Sequence, residues 1–178
     1  MAKTPVLYTE RLRLRPMEES DFNDFYAYFS TDEVRDAIGG YTPGRPDAIR
    51  AIFDNNCQAD YTWALELLSE NKVIGDTHFG NIIGEYLAHI GYVLHPGYWG
   101  HGYATEALAK ITAFGFDTLD FGRIRAILLA SNRRSEMVLR RCGYHKEAFI
   151  REGDFGGRVE NLLYYSKGHY EMDGEMVE

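Results

Sequence analysis

Cysteine, basic charge and long apolar runs are all scarce in this chain of 178 residues. Its two cysteines, Cys57 and Cys142, lie far apart with no second ligand pair beside either. That spacing excludes a zinc knuckle and argues against a disulfide framework, so both are expected as reduced thiols. Lysine and arginine total 19 against 27 acidic residues, a net charge of −8. Broad contact with nucleic acid needs a basic face, which this balance argues against. The acidity keeps the chain soluble and also suits a cationic substrate through long-range attraction. No stretch approaches the roughly 20 apolar residues needed to cross a bilayer. The opening, Met1 to Pro16, alternates charged and apolar residues and lacks the apolar core of a signal peptide, so the expected location is the cytoplasm. There is no repeat, low-complexity tract or linker, and a single domain over 1–178 is expected, with 171–178 a frayed acidic tail.

What is present is apolar patterning: 45% of residues are hydrophobic and 14% aromatic, enough for a buried core. Arg11 to Arg15 alternates with period two and reads as a strand closed by Pro16. Glu18 to Ser30 places Phe22, Phe25, Tyr26 and Phe29 at helical spacing, with Ser20 as an N-cap candidate. After the breakers around Gly39–Pro43, a second helix starts near Pro46. A hairpin follows, Thr62–Leu68 and Lys72–Asn81 about the turn Ser69-Glu70-Asn71, and then a strand at Tyr86–Leu94. A long amphipathic helix is expected from Gly102 to Leu119. The rest reads as strand Arg123–Ala130, helix Arg133–Cys142, strand Tyr144–Arg151 and strand Val159–Lys167. This is an α/β chain of the α+β type, a central sheet covered by helices. The aromatic-rich last strand, Tyr164-Tyr165 with Tyr170, is the edge through which a homodimer could form.

The chemistry concentrates in Ile90 to Glu106, which runs strand, glycine-rich turn, long helix. Amide N–H groups at a helix start lack internal partners and carry the positive end of its dipole. Glycines let several such groups converge on one anion, a seat for phosphate or pyrophosphate. A dinucleotide fingerprint would need a third glycine at 105, where Thr stands, and a P-loop would need a lysine that is missing. A plain strand-to-helix turn is the bland alternative.

Trp99-Gly100-His101-Gly102-Tyr103-Ala104-Thr105-Glu106-Ala107 resembles the pyrophosphate-binding motif of the GNAT superfamily of acyl-CoA N-acyltransferases. Gly97 stands where that family often has Gln or Arg, so backbone amides are left as the main phosphate donors. Thr9-Glu10-Arg11-Leu12-Arg13-Leu14-Arg15-Pro16 resembles the first strand of the RimJ/RimL-like branch, which includes the enzymes acetylating ribosomal-protein N-termini. Asn132-Arg133-Arg134-Ser135 with Arg141-Cys142-Gly143-Tyr144 resembles that branch's Asn-x-x-Ser…Gly-Phe motif. The three segments lie in family order across nearly the whole chain.

The resemblance implies a three-layer fold whose mixed, mostly antiparallel sheet has six to seven strands and helices on both faces. The sheet would splay between its fourth and fifth strands, Tyr86–Leu94 and Arg123–Ala130. It implies acetyl-CoA as co-substrate and no metal, with the pantetheine arm against Tyr92, Val93 and Leu94. The pyrophosphate would sit on Trp99, Gly100, His101, Gly102, Tyr103, Ala104 and Thr105. Asn132 and Ser135 would contact the arm, unless they only cap the helix. A backbone N–H near Val93 or Leu94 would hold the developing oxyanion. The family's acid, often a tyrosine seven residues after the asparagine, is replaced by Leu139, so either Ser135 protonates the thiolate or a water or another residue does. Candidate bases are His78, Asp76, Glu66, His89, Glu152 and Glu160, of which His78 and Glu160 lead. Tyr41 and Trp63 are acceptor-pocket candidates, with core packing the default for Trp63. The acceptor would be a peptide N-terminus or a small amine; a non-catalytic acyl-CoA sensor on the same fold, or a module for another phosphate ligand, is the alternative. No direct nucleic-acid or membrane partner is expected.

Overall fold

The computed structural model describes residues 4–39, 45–84 and 86–169. In chain order they form β1 (Leu7–Tyr8), β2 (Leu12–Arg15), α1 (Phe22–Phe29), α2 (Asp32–Ala37) and α3 (Pro46–Gln58). Then come β3 (Thr62–Leu67), β4 (Lys72–Ile83), β5 (Leu87–Leu94), α4 (Tyr103–Asp117) and β6 (Arg123–Leu129). The chain closes with α5 (Arg133–Arg141), β7 (His145–Phe155) and β8 (Arg158–Gly168). All eight strands join one sheet in the order β1-β2-β3-β4-β5-β6-β8-β7. Every neighbouring pair is antiparallel except β5 with β6.

Side-chain alternation explains the layers. Trp63, Leu65, Ile90 and Leu128 point to the face covered by α4, where Leu108 and Ile111 meet them. Ala64 and Val73 point to the other face, against Phe25, Phe29, Ile49 and Phe53 of α1 and α3. The expected three layers and mixed sheet are therefore present. Two elements escaped the periodicity. β1 is two residues long, too short to show a period, and raises the strand number to eight. α2, of six residues, begins at Thr31, whose Oγ1 accepts the Val34 N–H at 3.3 Å.

Other expectations need correction. Ser20 does not cap α1; Glu19–Asp21 is a single 3-10 turn, and the Asp21 carboxylate accepts the Glu18 N–H at 2.8 Å. The last hairpin extends past its expected ends because Gly156 and Gly157, both at positive φ, make the two-residue turn that matches strand twist. The last strand, β8, is not an edge: it lies between β6 and β7, and Tyr165 is buried. Tyr41, Tyr170 and the tail 171–178 lie outside the described residues. Trp63 is core, fully buried with its indole N–H donating to the Pro5 carbonyl at 2.8 Å. No described helix is long and apolar enough to cross a membrane.

The first strand is anchored by charge. Glu66 on β3 is buried and receives Arg13 at 2.7 Å and also Arg15, which reaches on to Asp21 at 2.7 Å. Two guanidiniums offset the cost of burying one carboxylate, which in turn lies below the usual carboxylate range. Glu66→Ala would leave Arg15 half-paired in a desolvated place. We expect it to lower unfolding stability by about 3 kcal/mol in urea titration, and a loss near zero would show the cluster to be ornamental.

Candidate active site

The sheet opens where its only parallel pair ends. β5 and β6 are in register over Leu87–His89 and Arg123–Arg125 alone. Beyond that, β5 stays with β4 up to Leu94 opposite Gly75, while β6 follows β8. The His95 N–H donates to the Ile74 carbonyl at 2.8 Å, which fixes the ladder's phase. In an antiparallel ladder mutually bonded pairs recur every second residue, so Val93 bonds Asp76 and Gly91 bonds His78. The amides of Tyr92 and Leu94 therefore turn to the open side, and that of Val93 toward β4. Leu94's carbonyl accepts the Trp99 indole N–H at 2.8 Å. Its N–H, with both backbone groups of Tyr92, faces the wedge with no neighbouring strand to pair with.

The mouth of the wedge is the start of α4. Gly100 and Gly102 adopt φ of +82° and +85°, the left-handed region that a side chain would strain. This bend aims the first amides of α4 into the opening. Glu106, one turn in, locks the helix to the amino-terminal segment. It accepts the Arg11 backbone N–H at 2.8 Å, pairs with the Arg11 guanidinium at 2.7 Å and takes the Thr9 hydroxyl. Thr105 Oγ1 is buried with no hydrogen-bond partner. Across the mouth, the Arg134 guanidinium lies over the Trp99 ring at 4.7 Å.

The α5 wall closes the wedge. Asn132 caps α5, its Oδ1 accepting the Ser135 N–H at 3.1 Å, and its Nδ2 donates to the Ala37 carbonyl at 3.3 Å. Ser135 Oγ lies 2.6 Å from the Tyr92 hydroxyl, which reaches across from β5. Buried Glu136 fastens the helix below, taking Tyr165 at 2.8 Å and Arg140 at 2.9 Å. One cavity of about 1000 Å³ joins these parts and continues through the sheet to the α2 side. There it meets Val34 and Ile38, Phe155 of β7, and the exposed carboxylates Glu33 and Asp36. His78 roofs this half: a Cβ on Gly91 would come within 2.5 Å of its ring, so only glycine leaves the imidazole room. Burial lowers the pKa of His78, which favours the neutral ring.

A family model described as an acetyltransferase (GNAT) domain matches residues 11–145. The chain belongs to this family. It is 33% identical over 168 residues to the uncharacterized N-acetyltransferase p20 of Bacillus licheniformis, covering 90% of this chain and 94% of that one. It is 28% identical over 157 residues to the [ribosomal protein uS5]-alanine N-acetyltransferase of Escherichia coli, covering 82% and 81%. Among solved structures, a GNAT-family acetyltransferase from Bacillus anthracis superposes with a TM-score of 0.86 at 26% identity, covering 94% of this chain and all of that one. The chain is a GNAT acetyltransferase, akin to the ribosomal-protein branch.

Against this family background, most of the sequence-predicted positions meet in the one cavity. Tyr92, Val93 and Leu94 line it with His78, Asn132 and Ser135. So do Trp99, Gly100, Gly102, Tyr103, Ala104 and Thr105. His101 does not: its ring is exposed against Tyr103 and its carbonyl accepts Arg11 at 3.0 Å. Glu160 is also outside, paired with Arg158 at 2.8 Å near the last hairpin turn, and exposed Glu152 beside it stays outside too. Glu66 is committed to its arginines. His89 shares a face with Val93, as alternation required, but does not line the cavity. Asp76 is sealed beneath α1 with Tyr28, whose hydroxyl donates to it at 2.7 Å. The reading of the sequence missed α2 and Phe155, since neither carries a motif, and gave no role to the Tyr92 hydroxyl. Among the described residues no group is arranged to hold a metal ion.

Asp76 gives a pH test. Burial raises its pKa to about 6, against about 3.9 when unfolded. A carboxyl raised on folding adds stability below its unfolded pKa and loses it as pH climbs to the folded value. Asp76→Asn, which can still accept from Tyr28, lacks that loss. Its stability relative to the native enzyme should therefore rise by about 2 kcal/mol between pH 4 and pH 7, measured by denaturant titration. A constant difference would mean that Asp76 titrates normally.

Proposed function

We propose that this acetyltransferase moves the acetyl group of acetyl-CoA to a primary amine by direct attack in a ternary complex. The observation that carries the reading is the single cavity that joins an anion-seeking helix start to an acid-rimmed chamber through a gap in the sheet. The residues fit the co-substrate. The amides after Gly100 and Gly102, with the orphaned Thr105 hydroxyl, would hold the pyrophosphate. The pantetheine amides would pair with Tyr92, and the sulfur would lie near Ser135.

The Leu94 N–H is the donor we assign to the thioester oxygen, since it faces the wedge and Val93's does not. His78, neutral and roofing the amine side, is the base we assign, because an ammonium must lose a proton before it attacks. Ser135 is the acid for the leaving thiolate. Asn132 serves by holding Ser135 and α2, as its polar groups are already engaged. Neither Cys57 nor Cys142 enters; burial pushes the Cys142 thiol up to about 11. The acidic rim of Glu33 and Asp36 favours a cationic acceptor. Kinship to a [ribosomal protein uS5]-alanine N-acetyltransferase supports a protein or peptide amine as the acceptor.

Thiol release from acetyl-CoA should depend on one class of amine in a panel of alanyl peptides, spermidine, free amino acids and aminoglycosides. Tight acetyl-CoA binding without turnover on any amine would favour the sensor reading. Thermal stabilisation by ATP or NAD but not by acetyl-CoA would overturn the reading. Thr105→Val, which removes only the orphaned hydroxyl, should weaken acetyl-CoA about 10-fold in calorimetry. Unchanged affinity would take Thr105 out of the phosphate seat.

A further inference from the structure

Position 139, where the family's proton-donating tyrosine often stands, carries Leu139, a side chain buried in the core. A tyrosine hydroxyl reaches the same region from the opposite wall. Tyr92 extends from β5 across the wedge, and its oxygen lies 2.6 Å from Ser135 Oγ. Both residues are half-buried and both line the cavity. Tyr92 also has the Ser135 carbonyl within reach, at 3.2 Å. When the phenol proton rests on Oγ, the serine's own proton is free to turn into the wedge.

We propose that Tyr92 completes the proton path to the leaving thiolate, donating to Ser135 as Ser135 donates to sulfur. This rests on the acetyl-transfer reading above and extends it. The chemistry needs such a second donor. An alkyl hydroxyl is a weaker acid than a thiol, so Ser135 alone would end as an alkoxide beside a freshly made thiol. A phenol, with an ordinary pKa of about 10, stands far closer to a thiol, at about 8.5. Burial raises the Tyr92 pKa, partly offset by the Ser135 bond, which keeps the phenol protonated at neutral pH. The same dry wedge raises the proton affinity of the thiolate, so donor and acceptor shift together.

The step balances without another reactant. As the C–S bond breaks, its electron pair goes to sulfur. Sulfur takes the Ser135 proton, and Ser135 Oγ takes the Tyr92 proton. The phenolate is then reprotonated through solvent by the proton that left the attacking nitrogen. Net, one proton passes from amine to thiol and nothing is oxidised.

The sequence explains why this arrangement holds. Tyr92 alternates onto the α4 face of β5, two residues from Leu94, and β5 is held in register by β4. Ser135 is placed by the Asn132 cap and by Glu136, which ties α5 to Tyr165 of β8. Each hydroxyl therefore sits on a rigid element, and the two elements are the walls of the wedge.

The test is a double-mutant cycle on Tyr92→Phe and Ser135→Ala, using acetyl-CoA with the fastest amine of the panel. Each single change should lower kcat on the order of 100-fold with little change in KM for acetyl-CoA, and the double variant should lose no more than either. Replacing Tyr92 by 3,5-difluorotyrosine, a stronger acid of nearly equal size, should move the alkaline limb of the kcat–pH profile to lower pH. That readout needs no change in packing and stands even where Tyr92→Phe folds poorly. Multiplicative losses in the cycle, full kcat in Tyr92→Phe, or an unmoved limb would each overturn the role of Tyr92. Absence of turnover by the native enzyme on every amine would instead overturn the acetyl-transfer reading itself.

Discussion

The parting of β5 from β6 is the constraint on which the site depends. A parallel ladder three pairs long ends at His89, and each strand then follows a different antiparallel partner. Backbone groups that a continuous sheet would satisfy are left facing a gap, and buried unpaired amides are costly. A ligand with amides of its own relieves that cost, which is why an extended amide-bearing arm suits the wedge. Everything else in the site is fixed by its relation to this gap: α4 starts at its mouth, α5 forms one wall, and the chamber under α2 lies on its far side.

Carboxylates, two of them buried and one half-buried, tie the elements around the gap together. Glu106 joins α4 to Thr9 and Arg11, so two of the sequence motifs turn out to be two halves of one clamp. Glu136 joins α5 to β8 through Tyr165. Glu66 joins β3 to the arginines of β2. Each carboxylate has at least two donors, which is the condition under which burying a charge is tolerated. The alternation of arginine and leucine in β2 is thereby explained on both faces, with Leu12 and Leu14 in the core and Arg13 and Arg15 on Glu66.

Long or strongly patterned elements were legible in the sequence, and short ones were not. The α4 segment and the β3–β4 hairpin were expected nearly where they stand, because apolar period and turn residues agree there. α2 escaped because six residues hold less than two helical turns, and its stability comes from the Thr31 cap and from docking Val34. The ends of β7 past Arg151 and of β8 before Val159 escaped because the flanking residues carry no apolar alternation, while Gly156-Gly157 closes them as a two-residue turn. Glu160 was drawn toward the site by resemblance, yet Arg158, two residues before it, holds it at the hairpin.

The sequence by itself determined the fold class, the anion-seeking turn at Gly100–Gly102 and the face that each residue of β5 presents. Those properties are local: they follow from periodicity of side chains, from glycine's freedom in φ and from unpaired amides at a helix start. Only the tertiary structure decided which residues meet. The pairing of Tyr92 with Ser135, the place of His78 over Gly91 and the sealing of Asp76 under Tyr28 each join segments distant in the chain. Their partners are chosen by strand register and helix docking, and no local pattern encodes a distance across a gap.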